Sequence, residues 1–447
     1  MKKSLATFLT VIFVIAIAVS LVLVVKHIAE EPSGKISDIS EQDADENSED
    51  ISSEDNSSQP EESIPKQDTV ISFLACPDNI IHPSAYYDAI IRAAEKNGTE
   101  PVYKPLETAV YDFESIYEYV ASDVALADIA YVNVETMIGG NENGISGYPT
   151  FNTPEAAGEV LWGLGFDIYN LAHNHMLDSY NDKYLINCND FFADKGGTVI
   201  GYYKNEADTE NIKFIEREGI KIALLAYTYG TNGIPLPSDS ETYIPYFNEA
   251  LIRKQVEIAK QKSDLVIVSA HWGNEDTYNP NSHQRTYAQL FVELGVDVVI
   301  GMHPHVIQPM SWEENQDGDK TLLVYSLGNF ISGMQDGFNM LGGMLGFDII
   351  KDAESDAVSV DNVVFNPIVT HYTKPGRGIN AHDTGHRDYK IYHLEDYTEE
   401  LALKHGAKIW DRSHPYTLVG GEFSKENLLK TVKKYIPAEF LTDYYLD

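Results

Sequence analysis

Seven short runs of apolar, largely β-branched residues recur between residues 70 and 326, and segments of helical spacing separate many of them. The runs are VISFLAC (70–76), ADIAYVNV (127–134), GFDIYNLA (165–172), GIKIALLAYT (219–228), DLVIVSA (264–270), VDVVIG (296–301) and TLLVYS (321–326). Helical patterns span 84–97, 153–164, 181–195, 248–262 and 283–294. Runs of six to ten residues suit strands, and segments of 12 to 15 suit helices. The alternation predicts an α/β fold with an at least partly parallel sheet, because parallel neighbours need a crossover long enough to hold a helix. Ser84 reads as the N-cap of the first helix, and Gly98 as the residue just past its end.

Sheets of this kind collect ligand groups at the carboxyl ends of their strands, and there this chain concentrates its polar residues. The first run leads into Asp78 and His82, the second into Asn133 and Glu135, and the third into His173, Asn174, His175 and Asp178. The fifth leads into His271 and Glu275, and the sixth into His303 and His305. Each alone has an ordinary reading: Asp78 as a turn residue, Asn133 as an Asx turn, Glu135 as solvated, His271 as packed beside Trp272, and His303 and His305 as loop histidines. Their recurrence at one topological position points to one shared pocket. Carboxylate, amide oxygen and neutral imidazole form a hard-to-borderline ligand set, suited to Mn, Fe or Zn ions. Two such ions bridged by a carboxylate suit hydrolysis of esters or amides of anions.

Charge narrows the substrates. At 447 residues the chain can form one large domain or two moderate ones. Its formal net charge of −37 disfavours nucleic acid held by charge alone. An anionic substrate would then need a local cation, which a metal supplies. No P-loop, Gly-x-Ser-x-Gly elbow, fixed-period repeat or basic and aromatic interleaving occurs. Cys76 and Cys188 stand outside any Cys-rich metal pattern and read as two buried thiols.

The ends of the chain have a different character. Leu5 to Val25 is an uncharged run of 21 residues behind Lys2 and Lys3, long enough to cross a hydrocarbon layer. It is longer than a signal-peptide core and ends in Val24, Val25, Lys26 and His27 without a clear cleavage site, so residues 1–26 are expected to form an uncleaved single-pass anchor in the cell membrane rather than a cleaved signal, with the rest of the chain extracellular. Residues 27–69 read as a disordered stalk: Glu30 to Asp68 holds 14 acidic residues against Lys35 and Lys66, with almost no large apolar groups. Residues 70–360 then form the main domain, and 361–447 an extension packing on it. In that extension His371, Arg377, His382, His386 and Arg387 read either as a substrate-contacting loop or as a solvated connection.

Three long stretches carry a resemblance. FNTPEAAGEVLWGLGFDIYNLAHNHMLD, SAHWGNEDTYNPNSHQRTYAQLFVELGVDVVIGMHPHVIQP and LLVYSLGNF together resemble the bacterial CapA family of poly-γ-glutamate capsule synthesis proteins, over Val70 to Asn329. The family's relation to calcineurin-like metallophosphoesterases implies a four-layer α/β sandwich, two central β-sheets flanked by helices, and two divalent ions. By motif, Asp78, Glu135, Asn174, His271, His303 and His305 would be metal ligands, with Glu135 bridging, and His175 would be the catalytic imidazole. Apart from the motifs, the positions of His82, Asn133, His173, Gln284 and Asn329 read as substrate contacts or supports of the ligands, with a helix cap as the alternative for Gln284 and a strand-end turn as that for Asn329. Two motifs depart from the family pattern: Pro77-Asp78 replaces Gly-Asp, and AHNH replaces ANNH, which makes His173 either an extra ligand or a neighbouring polar contact. The implied role is poly-γ-glutamate capsule or exopolymer synthesis, export or attachment, alongside membrane proteins of a polymer-synthesis complex and the anionic polymer itself. A metal-dependent phosphoesterase or amide hydrolase of the envelope, and a non-catalytic scaffold, stand as alternatives.

Overall fold

The computed structural model describes residues 67–407 and 417–446. The expected anchor and nearly all of the expected stalk lie outside those residues. Among the described residues no helix is long and apolar enough to cross a membrane.

In chain order the strands are β1 (Thr69–Asn79), β2 (Ile129–Asn133), β3 (Ile168–Asn170), β4 (Thr198–Ile200), β5 (Lys213–Arg217), β6 (Ile220–Thr228) and β7 (Leu265–His271). They continue with β8 (Val298–Met302), β9 (Ile307–Glu314), β10 (Lys320–Leu327), β11 (Asn329–Ile331), β12 (Leu341–Lys351), β13 (Val358–Thr373) and β14 (Arg387–His393). The longer helices are α1 (Pro83–Asn97), α2 (Glu155–Leu164), α3 (Lys183–Ala193), α4 (Glu249–Lys262), α5 (Ser282–Glu293) and α6 (Lys425–Tyr435). One sheet has the order β14-β13-β12-β1-β2-β3-β4, with β11 also paired to β1; the other has the order β5-β6-β7-β8-β10-β9. Both are mixed. β1 to β4 are mutually parallel and β12 to β14 antiparallel, while β6, β7, β8 and β10 are parallel between antiparallel edges β5 and β9.

The period-2 alternation of each strand builds the layers. Ile71, Phe73 and Ala75 of β1 share a core with Ile222, Leu224, Ile267 and Ile300 of the second sheet. Leu74 and Cys76, on the opposite face of β1, pack with Ala85, Ala89 and Ile90 of α1 and with Leu161, Leu185 and Phe192 of α2 and α3. The outer face of the second sheet, through Leu225, Val266, Val268 and Val299, meets Ile252 and Val256 of α4 and Phe291 of α5. The result is helices, sheet, sheet, helices: the α/β class that the alternation led us to expect, in the layering that the family resemblance implied. A buried hydrogen bond of 2.7 Å between Tyr131 Oη and Ser269 Oγ crosses between the sheets.

All seven expected strands and all five expected helices form, with ends displaced by a few residues. Ser84 is not the cap of α1: His82 holds that position without a side-chain cap, Pro83 opens the helix, and the Ser84 hydroxyl pairs with Tyr389 Oη at 2.6 Å. Proline at the first helical position lacks an amide that would need a partner, and the Ala85 amide is taken by the His82 carbonyl at 2.9 Å instead of by a capping side chain. Gly98 closes the helix at φ +65, as its position suggested. Strands β12 to β14 escaped the sequence reading because their pattern is irregular. Gly343 in LGGMLGF makes room for the Phe365 ring, which an added Cβ would approach to 2.0 Å. β13 runs through residue 361 and, with β14, completes one edge of the first sheet. Cys76 and Cys188 are free and buried.

Candidate metal centre

The carboxyl ends of β1, β2, β7 and β8 converge, and their side chains meet there. β1 runs past Cys76 to Asn79, so Asp78 lies inside a strand, opposite Asn133 of β2 and Asn329 of β11. Pro77, in place of the family's glycine, falls at a register break between Cys76 and Asp78, where a missing amide is tolerated. Asp78 Oδ1 accepts from Asn133 Nδ2 at 2.7 Å, and Asn133 Oδ1 accepts from Asn170 Nδ2 at 2.7 Å. Asp78 Oδ2 accepts from the His303 amide at 3.1 Å and lies 3.3 Å from His305 Nδ1. Asn133 thus supports the site by fixing Asp78.

The His-Pro-His turn holds an uncommon backbone. His303 has φ +95 and His305 φ +56, a region that non-glycine residues rarely occupy and that costs of order 1–3 kcal/mol per residue. Neighbouring groups hold it from several sides: Asp78 takes the His303 amide, the Asp276 amide donates to Pro304 O at 2.9 Å, and Asn339 Nδ2 donates to His305 O at 3.2 Å. Asn329 Oδ1 meets His305 Nδ1 at 3.0 Å, so Asn329 positions the ring. Gly328, φ +75, brings the chain against the Leu341 carbonyl, which an added Cβ would approach to 2.8 Å.

Glu135 occupies the centre. It is 1% exposed, and neither carboxylate oxygen has a hydrogen-bond partner. Its Oε1 lies 3.6 Å from His305 Nε2 and 3.8 Å from His271 Nε2. Three overlapping groups have ligand atoms within 4.8 Å of one another: Asp78, Glu135 and His305; Glu135, His271 and His303; and Glu275, His303 and His305. Nδ1 of His271 and Nδ1 of His303 are also buried without partners. Burial, reinforced by Asp78, pushes the Glu135 carboxyl well above the usual range. Burial likewise pulls His271 and His303 well below theirs. Burial would also depress His305, but Glu135 and Asp78 outweigh it and hold that imidazole up to about 10.

The third strand end forms the rim. Asn174 Oδ1 meets His271 Nε2 at 2.9 Å, and Asn174 Nδ2 donates to Asn232 Oδ1 at 3.0 Å. His175 Nδ1 lies 2.7 Å from Asp178 Oδ2, which also accepts from the Phe151 amide at 2.7 Å. A carboxylate can only accept, so Nδ1 of His175 carries the proton and Nε2 is left for chemistry. His173 is buried, and its Nδ1 accepts the His175 amide at 3.1 Å; it is held in the loop backbone and belongs to none of the three ligand groups. His82 Nδ1 accepts from the Gly333 amide at 3.0 Å, and burial lowers that imidazole to about 4.

Gln284 does not reach the cluster. It forms a capping box with Asn281 and donates to Gln308 Oε1 at 2.7 Å, bracing the loop between β7 and α5. Sequence reasoning named Glu275 as a strand-end residue without assigning it a role, and it missed Tyr229 and Asn232. The Tyr229 ring lies 4.5 Å from that of His303; both missed residues follow β6, whose end carries no charged or imidazole residue to signal a site. Of the basic cluster in the C-terminal segment, His382 lines a cavity of about 360 Å³ with His82, Ser84, Tyr148 and Thr384. Arg387 is tied to Asp383 at 2.6 Å, His386 stacks on Tyr372 at 4.0 Å, and His371 meets Tyr397 Oη at 2.8 Å. A larger cleft of about 680 Å³, which includes Leu265, Asp297 and Lys320, contains none of the clustered residues.

A buried carboxylate with two orphaned oxygens among three imidazoles fits divalent ions, since ions would satisfy the atoms the protein leaves bare. Asp78, Glu135, His271, His303 and His305 are the residues that would hold them.

The family profile for bacterial capsule synthesis protein PGA_cap matches residues 75–334. The chain belongs to the PGA_cap family. Among curated PGA_cap relatives, the PGA biosynthesis protein CapA of Bacillus subtilis (strain 168) is 29% identical over 231 residues, 49% of this chain and 57% of that protein. The capsule biosynthesis protein CapA of Bacillus anthracis is 32% identical over 171 residues, 37% of this chain and 40% of that protein. The matched region therefore spans roughly half the length of either relative. Among solved structures, a novel phosphatase of Mycoplasma pneumoniae gives a TM-score of 0.40 at 14% identity, covering 68% of this PGA_cap chain and 95% of that one. The NAD nucleotidase NadN of Haemophilus influenzae gives 0.40 at 12%, covering 84% and 65%. Those scores are too low to assign fold or activity.

Proposed function

We propose that this PGA_cap protein is a membrane-anchored, extracellular metal-dependent hydrolase of the metallophosphatase type, taking part in the synthesis, export or attachment of poly-γ-glutamate or a related exopolymer. The observation that carries the metal part is Glu135, buried with both oxygens bare amid His271, His303 and His305. When bound, two divalent ions, Mn, Fe or Zn, would supply Lewis-acid activation of a phosphoryl or carbonyl oxygen. The chain's own residues do the rest. Asp78, fixed by Asn133, and His305, fixed by Asn329, set the ligand frame, while Asn174 orients His271. His175, its Nδ1–H held by Asp178, gives a proton to the leaving group from Nε2 when the ring is in its doubly protonated form, and returns to the Nδ1–H neutral tautomer. The capsule role rests on family membership and on the two CapA relatives, with membrane proteins of a polymer-synthesis complex and the anionic polymer as partners. The anchor rests on Leu5 to Val25.

Elemental analysis of the full chain in detergent tests the metal part. One or two equivalents of Mn, Fe or Zn, lost in the His303→Ala, His305→Ala double variant, are expected. A folded protein that takes up no metal would favour the scaffold reading. Protease digestion of the C-terminal domain on intact cells, but not after deletion of Leu5 to Val25 and retention in the cytoplasm, is the expected outcome for the anchor.

A further inference from the structure

Beyond the ligands matched by motif, one carboxylate stands at the cluster without an assigned role. Glu275 lies on the loop that leaves β7, and its oxygen is within 4.8 Å of a ligand nitrogen of both His303 and His305. It is exposed, and among the described residues its carboxylate has no hydrogen-bond or ion-pair partner. His303, by contrast, is 2% exposed, with a bare Nδ1.

The loop carrying Glu275 is fastened on both sides of it. Gly273 has φ +98 and packs on Gln284, which an added Cβ would approach to 2.7 Å. Asn281 Nδ2 donates to Asn274 Oδ1 at 3.0 Å. The Asp276 amide donates to Pro304 O at 2.9 Å, and Asp276 Oδ1 accepts from Asn339 Nδ2 at 2.8 Å. The same Asn339 also binds His305 O, so one amide side chain ties the Glu275 loop to the histidine turn. An exposed glutamate would otherwise sweep many rotamers; here the Cα is fixed opposite two imidazoles, which lowers the entropy cost of closing the side chain onto an ion.

We propose that Glu275 is a third carboxylate ligand of the metal pocket, closing it at the solvent mouth beside His303 and His305. This rests on the metal reading above. With Asp78 and Glu135 it makes three carboxylates, which biases the pocket towards hard, oxygen-preferring ions such as Mn²⁺. It also leaves less net positive charge for an anionic substrate than two carboxylates would.

The test is Mn²⁺ titration by calorimetry of the full chain in detergent, stripped with a chelator, comparing wild type with Glu275→Gln and Glu275→Asp. Gln removes the charge. Asp keeps it but withdraws the oxygens by one methylene, so long-range attraction survives while ligation does not. Mn²⁺ affinity at least tenfold weaker in both variants, with melting of the chelated proteins unchanged, is the expected result. Wild-type affinity in Glu275→Gln, or loss in Gln with full retention in Asp, would overturn the ligand role while leaving the metal centre standing. A wild type that binds no Mn²⁺, Fe²⁺ or Zn²⁺ would overturn both.

Discussion

Replacing Glu135 by Gln should have opposite effects on the chelated and the metal-loaded protein. In the chelated protein the carboxyl is buried and pushed well above its ordinary value of 4.5, first by burial and then by Asp78. A group whose folded-state value is raised contributes its full stability below the unfolded value and loses it as pH climbs through the folded one. Wild type therefore pays a penalty at pH 7 that Gln does not, on the order of 1–3 kcal/mol for a buried ionisable group whose oxygens have no partner. At ~2 cal/mol/K per residue, a domain of roughly 380 residues has an unfolding entropy near 0.8 kcal/mol/K, so the variant should melt up to about 4 °C higher. The gap should close near pH 4, where the unfolded chain is protonated too. With Mn²⁺ the order inverts, because wild type gains a binding contribution that Glu135→Gln lacks. Differential scanning calorimetry in excess chelator and in excess Mn²⁺, at pH 4 and 7, reads both effects. A variant that melts lower than wild type in chelator at pH 7, yet gains as much from Mn²⁺, would refute the argument, because Glu135 would then be an ordinary core group.

Other perturbations separate the parts of the site. Asp178→Asn should leave metal content intact but lower hydrolysis of a responsive phosphodiester or γ-glutamyl amide by about 100-fold, because an amide oxygen lacks the charge with which Asp178 stabilises the protonated His175 ring; steady-state kinetics alongside elemental analysis reads this. Gly301→Ala would place a Cβ 2.1 Å from the Tyr325 carbonyl across the β8–β10 pair, so a loss of about 3 kcal/mol or more is expected in urea unfolding. Burial raises Asp297 to about 6, against hydrogen bonding from the Val266 amide. Its contribution is thus present below about pH 4 and lost as pH rises through 6, and Asp297→Asn should remove up to about 3 kcal/mol of that pH dependence. Tyr131→Phe should cost about 1 kcal/mol by leaving Ser269 without its partner between the sheets.

Local physics made much of this molecule legible in one dimension. The short apolar runs specified seven of the strands that form, and their alternate residues do face the opposite sheet or the helices. The clustering of polar residues at strand ends identified Asp78, Glu135, His271, His303 and His305, because parallel strands linked by crossovers bring equivalent ends together. Tertiary structure alone decided the rest. Which nitrogen of His175 is free depends on Asp178 folding back to it; that Asn133 and Asn329 hold Asp78 and His305 depends on β2 and β11 flanking β1. The strained φ values of His303 and His305 cannot be read from a proline between two histidines, since they persist only where Asp78 and Asn339, distant in the chain, overrule the local preference. Gln284 read equally as a pocket residue or a cap and is a cap, while Glu275 had no assigned role and stands at the mouth. Sequence specifies each element by short-range periodicity, whereas the direction of a loop side chain is set by contacts between segments far apart in the chain.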